Sequence, residues 1–274
     1  MRVAVLQMRS GVNPVVNARA LVDAVEQARA GGAAMLFTPE MSNLLDSDRA
    51  RSEDRLRTQD RDETLAAVRA AARDAGLWVH LGSLALRGEG GMRLNRGFLI
   101  DDRGEIRAHY DKIHLFDVDL ATGERWRESA VYMRGARAVA AETPWGRMGF
   151  SICYDMRFPD LFRALTGAGA SIVAVPAAFT VPTGRAHWHV LLRARAIEAG
   201  IFVIAAAQAG KHEDGRETFG HSLVVDPWGD VLLDMGPEPG LGFVDLDPGQ
   251  VDAVRSRVPA IEHRREIPAV EIAP

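Results

Sequence analysis

Short apolar runs alternate along the chain with stretches in which apolar side chains return every third or fourth position. Residues 2–8 (RVAVLQM) predict a buried strand. Residues 13–30 carry Val15, Val16, Leu21, Val22 and Val25 at helical spacing, and Gly31-Gly32 ends that helix. A second strand, 33–38, runs into Pro39-Glu40. A helix near 62–75 and a strand at 77–84 follow. Segments 93–101 and 104–110 flank Asp101-Asp102-Arg103-Gly104, a hairpin-like turn.

The second half repeats the alternation. After a polar, irregular stretch at 117–135, strands are predicted at 136–141 and 146–153, a helix at 157–167 and a strand at 171–176. A long helix at 184–199 precedes strands at 201–208, 220–226, 230–234 and 241–246, and a short helix at 248–256. The tripeptide PWG occurs at 144–146 and 227–229. Each copy sits between strand-like segments, where proline and glycine suit a tight turn, so each predicts a hairpin. No linker divides the chain. The pattern predicts one α/β domain over 1–274, with a core to about residue 250 and a tail over 251–274.

Composition narrows the function. Apolar residues make up 47% of 274 positions, enough for a large core, and 33 basic against 37 acidic side chains leave a net charge of −4. That balance lacks the basic excess of a nucleic-acid binder. The apolar runs fall far short of the roughly 20 residues of a membrane span. The single cysteine, Cys153, forms no internal disulfide, so a cytoplasmic location is expected. Residues 46–63 hold seven acids against five arginines, which predicts a solvated loop and helix.

Three residues stand out by position. Cys153 ends a predicted strand just before a helix, where backbone N–H groups favour a thiolate and an oxyanion. Glu40 follows the strand at 33–38, and an acid at an apolar strand end is costly unless paired or used. Lys112 follows the strand at 104–110 and could meet a developing oxyanion. Metal binding is not expected. His187 and His189 point about 200° apart on a helix, and His212 and His221 have no cysteine or clustered acids near them in sequence. There is no phosphate-binding glycine loop, and no cofactor is expected.

The segments around these residues, FTPEM (Glu40), YDKIHLFDVDL (Lys112) and GFSICYDMRFPDL (Cys153), resemble the nitrilase superfamily of carbon–nitrogen hydrolases. The resemblance runs from residue 2 to about 245 and implies a four-layer α-β-β-α sandwich that pairs into homodimers or larger assemblies. It implies Glu40 as general base, Cys153 as nucleophile, and Lys112 with the Tyr154 backbone N–H as oxyanion partners. Glu128, in RESAVYMRG, matches a second glutamate that positions Lys112 or substrate.

Residues 176–229 resemble the amidases acting on deaminated glutathione, a small-molecule amide that would give 2-oxoglutarate and cysteinylglycine. The ω-amidases acting on α-ketoglutaramate share AHW (186–188) and GHS (220–222), and N-carbamoyl amidohydrolases and nitrilases use the same three residues. A silent scaffold on this fold would have no reason to retain all three. For an α-keto carboxylate, Arg157 is the expected bidentate partner. Phe179 and Thr183 are expected pocket walls, with His187 and Trp188 holding their loop.

Overall fold

The computed structural model describes residues 1–119, 123 and 125–273. Leu120, the last residue of the YDKIHLFDVDL motif, lies outside the described residues, as do 121, 122 and 124 in the irregular stretch. In chain order the first half comprises β1 (Arg2–Gln7), α1 (Pro14–Ala30), β2 (Met35–Phe37), α2 (Arg49–Glu53), α3 (Glu63–Ala75), β3 (Trp78–Arg87), β4 (Arg93–Ile100) and β5 (Ile106–Asp111). A small hairpin, β6 (Asp117–Asp119) with β7 (Arg125–Arg127), leads to β8 (Ala140–Thr143), β9 (Gly146–Phe150), α4 (Pro159–Gly167), β10 (Ile172–Ala174), α5 (Val181–Ala199) and β11 (Phe202–Ala205). A second small hairpin, β12 (Ala209–Lys211) with β13 (Glu217–Phe219), precedes β14 (Leu223–Val225), β15 (Val231–Asp234), β16 (Gly240–Asp245) and α6 (Gly249–Arg257).

The strands build two six-stranded sheets, ordered β16-β1-β2-β3-β4-β5 and β15-β14-β11-β10-β9-β8. Alternate residues of a strand serve different layers. In β1, Val3 and Val5 join the cluster that holds Met148, Phe150 and Val173 of the facing sheet. Ala4 and Leu6 instead meet Leu21 and Val25 of α1 and Leu65 and Val68 of α3. In β4, Leu99 faces inward, while Phe98 and Ile100 face the helices. Phe162 and Leu165 of α4, with Leu192 and Ala196 of α5, cover the second sheet. The result is the α-β-β-α sandwich, and burial on both faces explains why the strands read as continuous apolar runs. No helix among the described residues is long and apolar enough to cross a membrane.

Several boundaries differ from the sequence pattern, each for a physical reason. Helix α5 starts at Val181 rather than 184, because Pro182 sits in its first turn, where no N–H is needed. Thr183 is therefore on the helix and not in a loop. The strand expected to reach residue 208 ends at Ala205, and the chain continues through isolated bridges Ala177↔Ala207 and Met8↔Gln208. Residues 46–63 are not merely solvated. Ser52, Leu56 and Asp62 are buried, and the Asp46 carboxylate holds Arg51 at 2.7 Å. Near-balanced charge there reflects internal pairing. The core also extends past residue 250, since Val251 and Val254 of α6 are buried. Both PWG tripeptides do turn hairpins, β8–β9 and β14–β15.

A slip in the β3–β4 ladder between Leu81 and Leu84 shapes the edge where Glu40 emerges. The freed groups of β3 bond the Thr38–Ser42 turn. Gly82 N–H donates to Thr38 Oγ1 at 3.0 Å, Ser83 N–H to the Pro39 carbonyl at 3.2 Å, and Met41 N–H to Ser83 Oγ at 3.0 Å. The backbones approach so closely that a Cβ on Gly82 would lie 2.0 Å from the Thr38 carbonyl oxygen. Gly82→Ala should therefore destabilise the protein by about 2 kcal/mol or more and lower Tm by roughly 5 °C in a calorimetric scan. Gly167→Ala, where an added Cβ meets nothing within 4 Å, should leave Tm unchanged. Equal midpoints for the two variants would remove the close-approach argument.

Candidate active site

Glu40 lies just beyond β2, in a turn whose next residue, Met41, has φ of 57°. Its side chain is 4% exposed, and its carbonyl accepts from Gln208 Nε2 at 2.9 Å. The carboxylate is fully engaged. Oε1 accepts from Lys112 Nζ at 2.9 Å and from Asn95 Nδ2 at 2.9 Å, and Oε2 accepts from the Ala178 N–H at 2.8 Å.

Lys112 follows β5 and is 2% exposed. Its backbone N–H continues the ladder to the Asn95 carbonyl at 3.0 Å, which sets Nζ beside the Asn95 amide. Nζ also donates to both oxygens of Glu128, at 3.1 and 2.9 Å. The Phe116 N–H donates to Glu128 Oε2 at 2.7 Å, and Asn95 Nδ2 reaches Glu128 Oε1 at 3.3 Å. Burial alone would push the Lys112 ammonium down. The Glu128 and Glu40 charges more than offset it and hold the group well above the usual lysine value. Burial likewise pushes the Glu40 carboxyl up. The Lys112 charge and hydrogen bonds from Lys112, Asn95 and Cys153 overcome it and hold the carboxyl below the usual glutamate value.

Cys153 begins a 3-10 turn, Cys153–Arg157, directly after β9. Its φ of 49° is left-handed, which a side chain bearing a Cβ adopts only under constraint. The Cys153 N–H donates to the Pro176 carbonyl at 2.9 Å. Asp155, wholly buried, supplies the rest. It accepts from the Ile152 N–H at 2.8 Å, Tyr110 OH at 2.7 Å and the His114 N–H at 3.0 Å, and pairs with His114 Nδ1 at 2.7 Å. One carboxylate thus ties the cysteine turn to the strand end that carries Lys112. Burial and the Glu40 charge push the thiol well above its ordinary value, against the Lys112 charge, so the resting sulfur keeps its proton. The Tyr154 N–H makes no intramolecular hydrogen bond among the described residues.

These groups open into a cavity of about 360 Å³. Glu40, Lys112, Glu128 and Cys153 line it, as do Tyr154, Phe179 and Thr183, so seven sequence candidates converge. Arg157 does not. Its guanidinium lies over the Phe179 and Tyr154 rings, at 5.4 and 5.8 Å, and contacts His187 Nδ1 at 3.2 Å. It packs against two rings that line the wall. Trp188 is fully buried and donates through Nε1 to the His221 carbonyl at 2.7 Å, which matches its expected supporting place. The charged segment 46–63 was not expected here, yet Asp46, Ser47, Arg49 and Ser52 form part of the lining.

Sequence reasoning missed Asn95, Asp155 and Ala178. Asn95 and Asp155 are polar residues inside apolar strand or strand-end contexts, a signal that was present. Ala178 acts through its backbone and left none. Sequence distance also hid a cluster: His189, His221 and Asp234 place their ligand-type atoms within 4.8 Å of one another. Each imidazole bonds a different carboxylate oxygen at 2.9 Å. This group lies away from the Cys153 cavity, whose lining includes none of the three.

Known proteins resemble this chain in sequence and fold. The carbon–nitrogen hydrolase family matches residues 2–256. The deaminated glutathione amidase of Yersinia enterocolitica is 40% identical over 267 residues, covering 96% of this chain and 92% of that one. The NitFhit protein of C. elegans superposes with a TM-score of 0.90 at 37% identity, covering 96% of this chain and 65% of that one, so this chain spans just under two thirds of that protein. A mutant amidase from Nesterenkonia sp. AN1, carrying the acetamide moiety of fluoroacetamide covalently at its active site cysteine, superposes with a TM-score of 0.82 at 28% identity, covering 97% and 94% of the two chains. With its sandwich, its match over nearly the whole length and its relatives in agreement, the chain belongs to the carbon–nitrogen hydrolase family.

Proposed function

We propose that this hydrolase cleaves the amide bond of deaminated glutathione, giving 2-oxoglutarate and cysteinylglycine through a thioester on Cys153. The observation that carries the reading is the buried Glu40–Lys112 pair and Cys153 lining one cavity, joined to the similarity with an amidase of that name.

The chemistry follows from the resting charges. Cys153 holds its proton, Glu40 is ionised and Lys112 is charged. As sulfur attacks the amide carbon, its proton passes to Glu40 and the carbonyl electrons move to oxygen. The Lys112 ammonium and the unspent Tyr154 N–H meet that oxyanion. On collapse the C–N bond breaks, and Glu40 returns the proton to the leaving nitrogen. Water then attacks the thioester with Glu40 taking its proton. The acid departs, and the sulfur recovers a proton from Glu40. Glu128 keeps Lys112 aligned throughout. Self-association, as a dimer or larger assembly, is supported by the outer face of α5, where Val190 and Ile197 are 67% and 52% exposed. The lone cysteine, which must stay reduced to act, fits a cytoplasmic setting.

Cys153→Ala and Glu40→Gln should each lower kcat/KM on deaminated glutathione by about 10⁴-fold or more. Cys153→Ala should leave Tm within a few degrees of the unmodified protein, since one small side chain is lost. Residual turnover of a tenth or more in either variant, against α-ketoglutaramate as the comparison substrate, would exclude the assigned roles.

The depressed Glu40 pKa sets the pH profile. A carboxyl held below its ordinary value stays ionised as pH falls until it passes below the usual glutamate range, so kcat/KM should hold from neutrality down to that range and fail beneath it. Asn95→Leu removes one donor that lowers this pKa, and the acid limb should move to higher pH. An unmoved limb in a pH–rate measurement would show that Asn95 does not tune Glu40. Analytical ultracentrifugation should find a dimer or larger species that Val190→Glu with Ile197→Glu dissociates; a monomer before mutation would refute the association.

A further inference from the structure

Five arginines stand in the cavity wall: Arg49, Arg93, Arg125, Arg127 and Arg216. Three have evident structural duties. Arg93 has a 6% exposed side chain and bonds Glu53 at 3.2 Å and the Arg49 carbonyl at 3.1 Å. Arg125 and Arg127 meet Asp119 at 3.5 and 2.8 Å across the β6–β7 hairpin. Arg49 projects from the surface helix α2.

Arg216 is held differently. It sits on the turn between β12 and β13, with its side chain 22% exposed. Its Nε donates to Asp214 Oδ2 at 2.7 Å, and the guanidinium lies over the Trp126 ring at 5.4 Å. Asp214 is itself fixed by the Ser47 N–H at 2.8 Å and the Arg216 N–H at 3.1 Å. The fork is therefore pinned along one edge and one face. Among the described residues no second carboxylate is in ion-pair range of it, which leaves the Nη edge for a ligand. A guanidinium presented in this way is pre-organised for a carboxylate.

The charge beside the sulfur favours such a cation. Glu40, Glu128 and Lys112 together carry a net negative charge beside the sulfur. A substrate with a carboxylate at each end would be repelled without cations further along the wall. The order of product release says which end Arg216 meets. The acyl half stays on Cys153 as a thioester while the amine half leaves to water, so the amine half lies toward the open side. Arg216, with its side chain 22% exposed against 6% for the buried Arg93, lies nearer that side than Arg93 does.

We infer that Arg216 is a specificity-determining residue that clamps the carboxylate of the leaving half, so that the preferred substrates are amides whose amine portion ends in a carboxylate. This rests on the deaminated glutathione reading, where that group is the glycine carboxylate. In α-ketoglutaramate the leaving half is ammonia and Arg216 has nothing to hold.

The test compares unmodified protein with Arg216→Gln and Arg216→Lys on three substrates: deaminated glutathione, its glycinamide-capped form and α-ketoglutaramate. Arg216→Gln should lose about 30-fold in kcat/KM on deaminated glutathione, mostly in KM, and stay within about twofold on α-ketoglutaramate, which also reports an intact fold. Arg216→Lys should fall between. Capping the glycine carboxylate should cost the unmodified protein a similar factor and cost Arg216→Gln nothing more. Equal losses on deaminated glutathione and α-ketoglutaramate, or a capping penalty undiminished in Arg216→Gln, would overturn the inference. Failure of the unmodified protein on deaminated glutathione, with α-ketoglutaramate turned over, would instead sink the substrate reading and take this inference with it.

Discussion

The buried ion cluster of Glu40, Lys112 and Glu128 is the constraint on which the rest of the structure depends. Two carboxylates and an ammonium lie almost out of water, and removing one partner of such a cluster costs about 3–5 kcal/mol. The cluster persists because its oxygens are covered by donors from four separate segments: Asn95 on β4, Lys112 after β5, Phe116 and Ala178. Each donor demands that a particular strand end arrive at the same point. The two sheets must face one another in one register, because β2 and β5 deliver Glu40 and Lys112 while β9 and β10 deliver Cys153 and Ala178. The cluster thus selects the sandwich as much as the sandwich presents the cluster.

The same field sets the resting protons of Glu40 and Cys153 in opposite senses. A thiol beside a lysine would ordinarily ionise more readily, but burial and the neighbouring glutamate win here and keep the proton on sulfur. In the proposed mechanism the proton therefore moves only when a carbonyl is present to receive the sulfur's electrons. Glu40 can accept it because Lys112 and Asn95 keep that carboxylate ionised in a dry setting. A resting thiolate would gain nothing from Glu40 as a base, whereas a resting thiol needs one. The directions of the three shifts are thus mutually consistent with one proton shared along a short path.

Much of this was legible in the sequence, and the reason is local. Buried strands read as apolar runs, and an acid, a lysine and a cysteine at three strand ends conflict with their surroundings strongly enough to be noticed. Asn13 and Asp62 cap α1 and α3, so those boundaries followed from side-chain chemistry. What failed was non-local. The lining by residues 46–52 depended on the Arg51–Asp46 pair and on the Ser47 N–H bonding Asp214, 167 positions away. The meeting of His189, His221 and Asp234 depended on α5 packing beside the β14–β15 hairpin. None of these leaves a period in the chain.

Backbone strain joins the two halves of the site. Met41 and Cys153, each with a left-handed φ, sit at corresponding exits from β2 and β9. A residue bearing a Cβ holds that conformation at a cost of roughly 1–3 kcal/mol, and only where its surroundings over-determine it. Around Met41 those surroundings are Gly82, Ser83 and Thr38, whose bonds exist because β3 slips its register. Around Cys153 they are the Asp155 network and the Pro176 carbonyl. Pro176 also touches the space over Gly82, where an added Cβ would come within 2.5 Å of its own. One close crossing between the sheets therefore supports both strained turns, so Glu40 and Cys153 are located relative to each other through the core and not through the rim of the cavity.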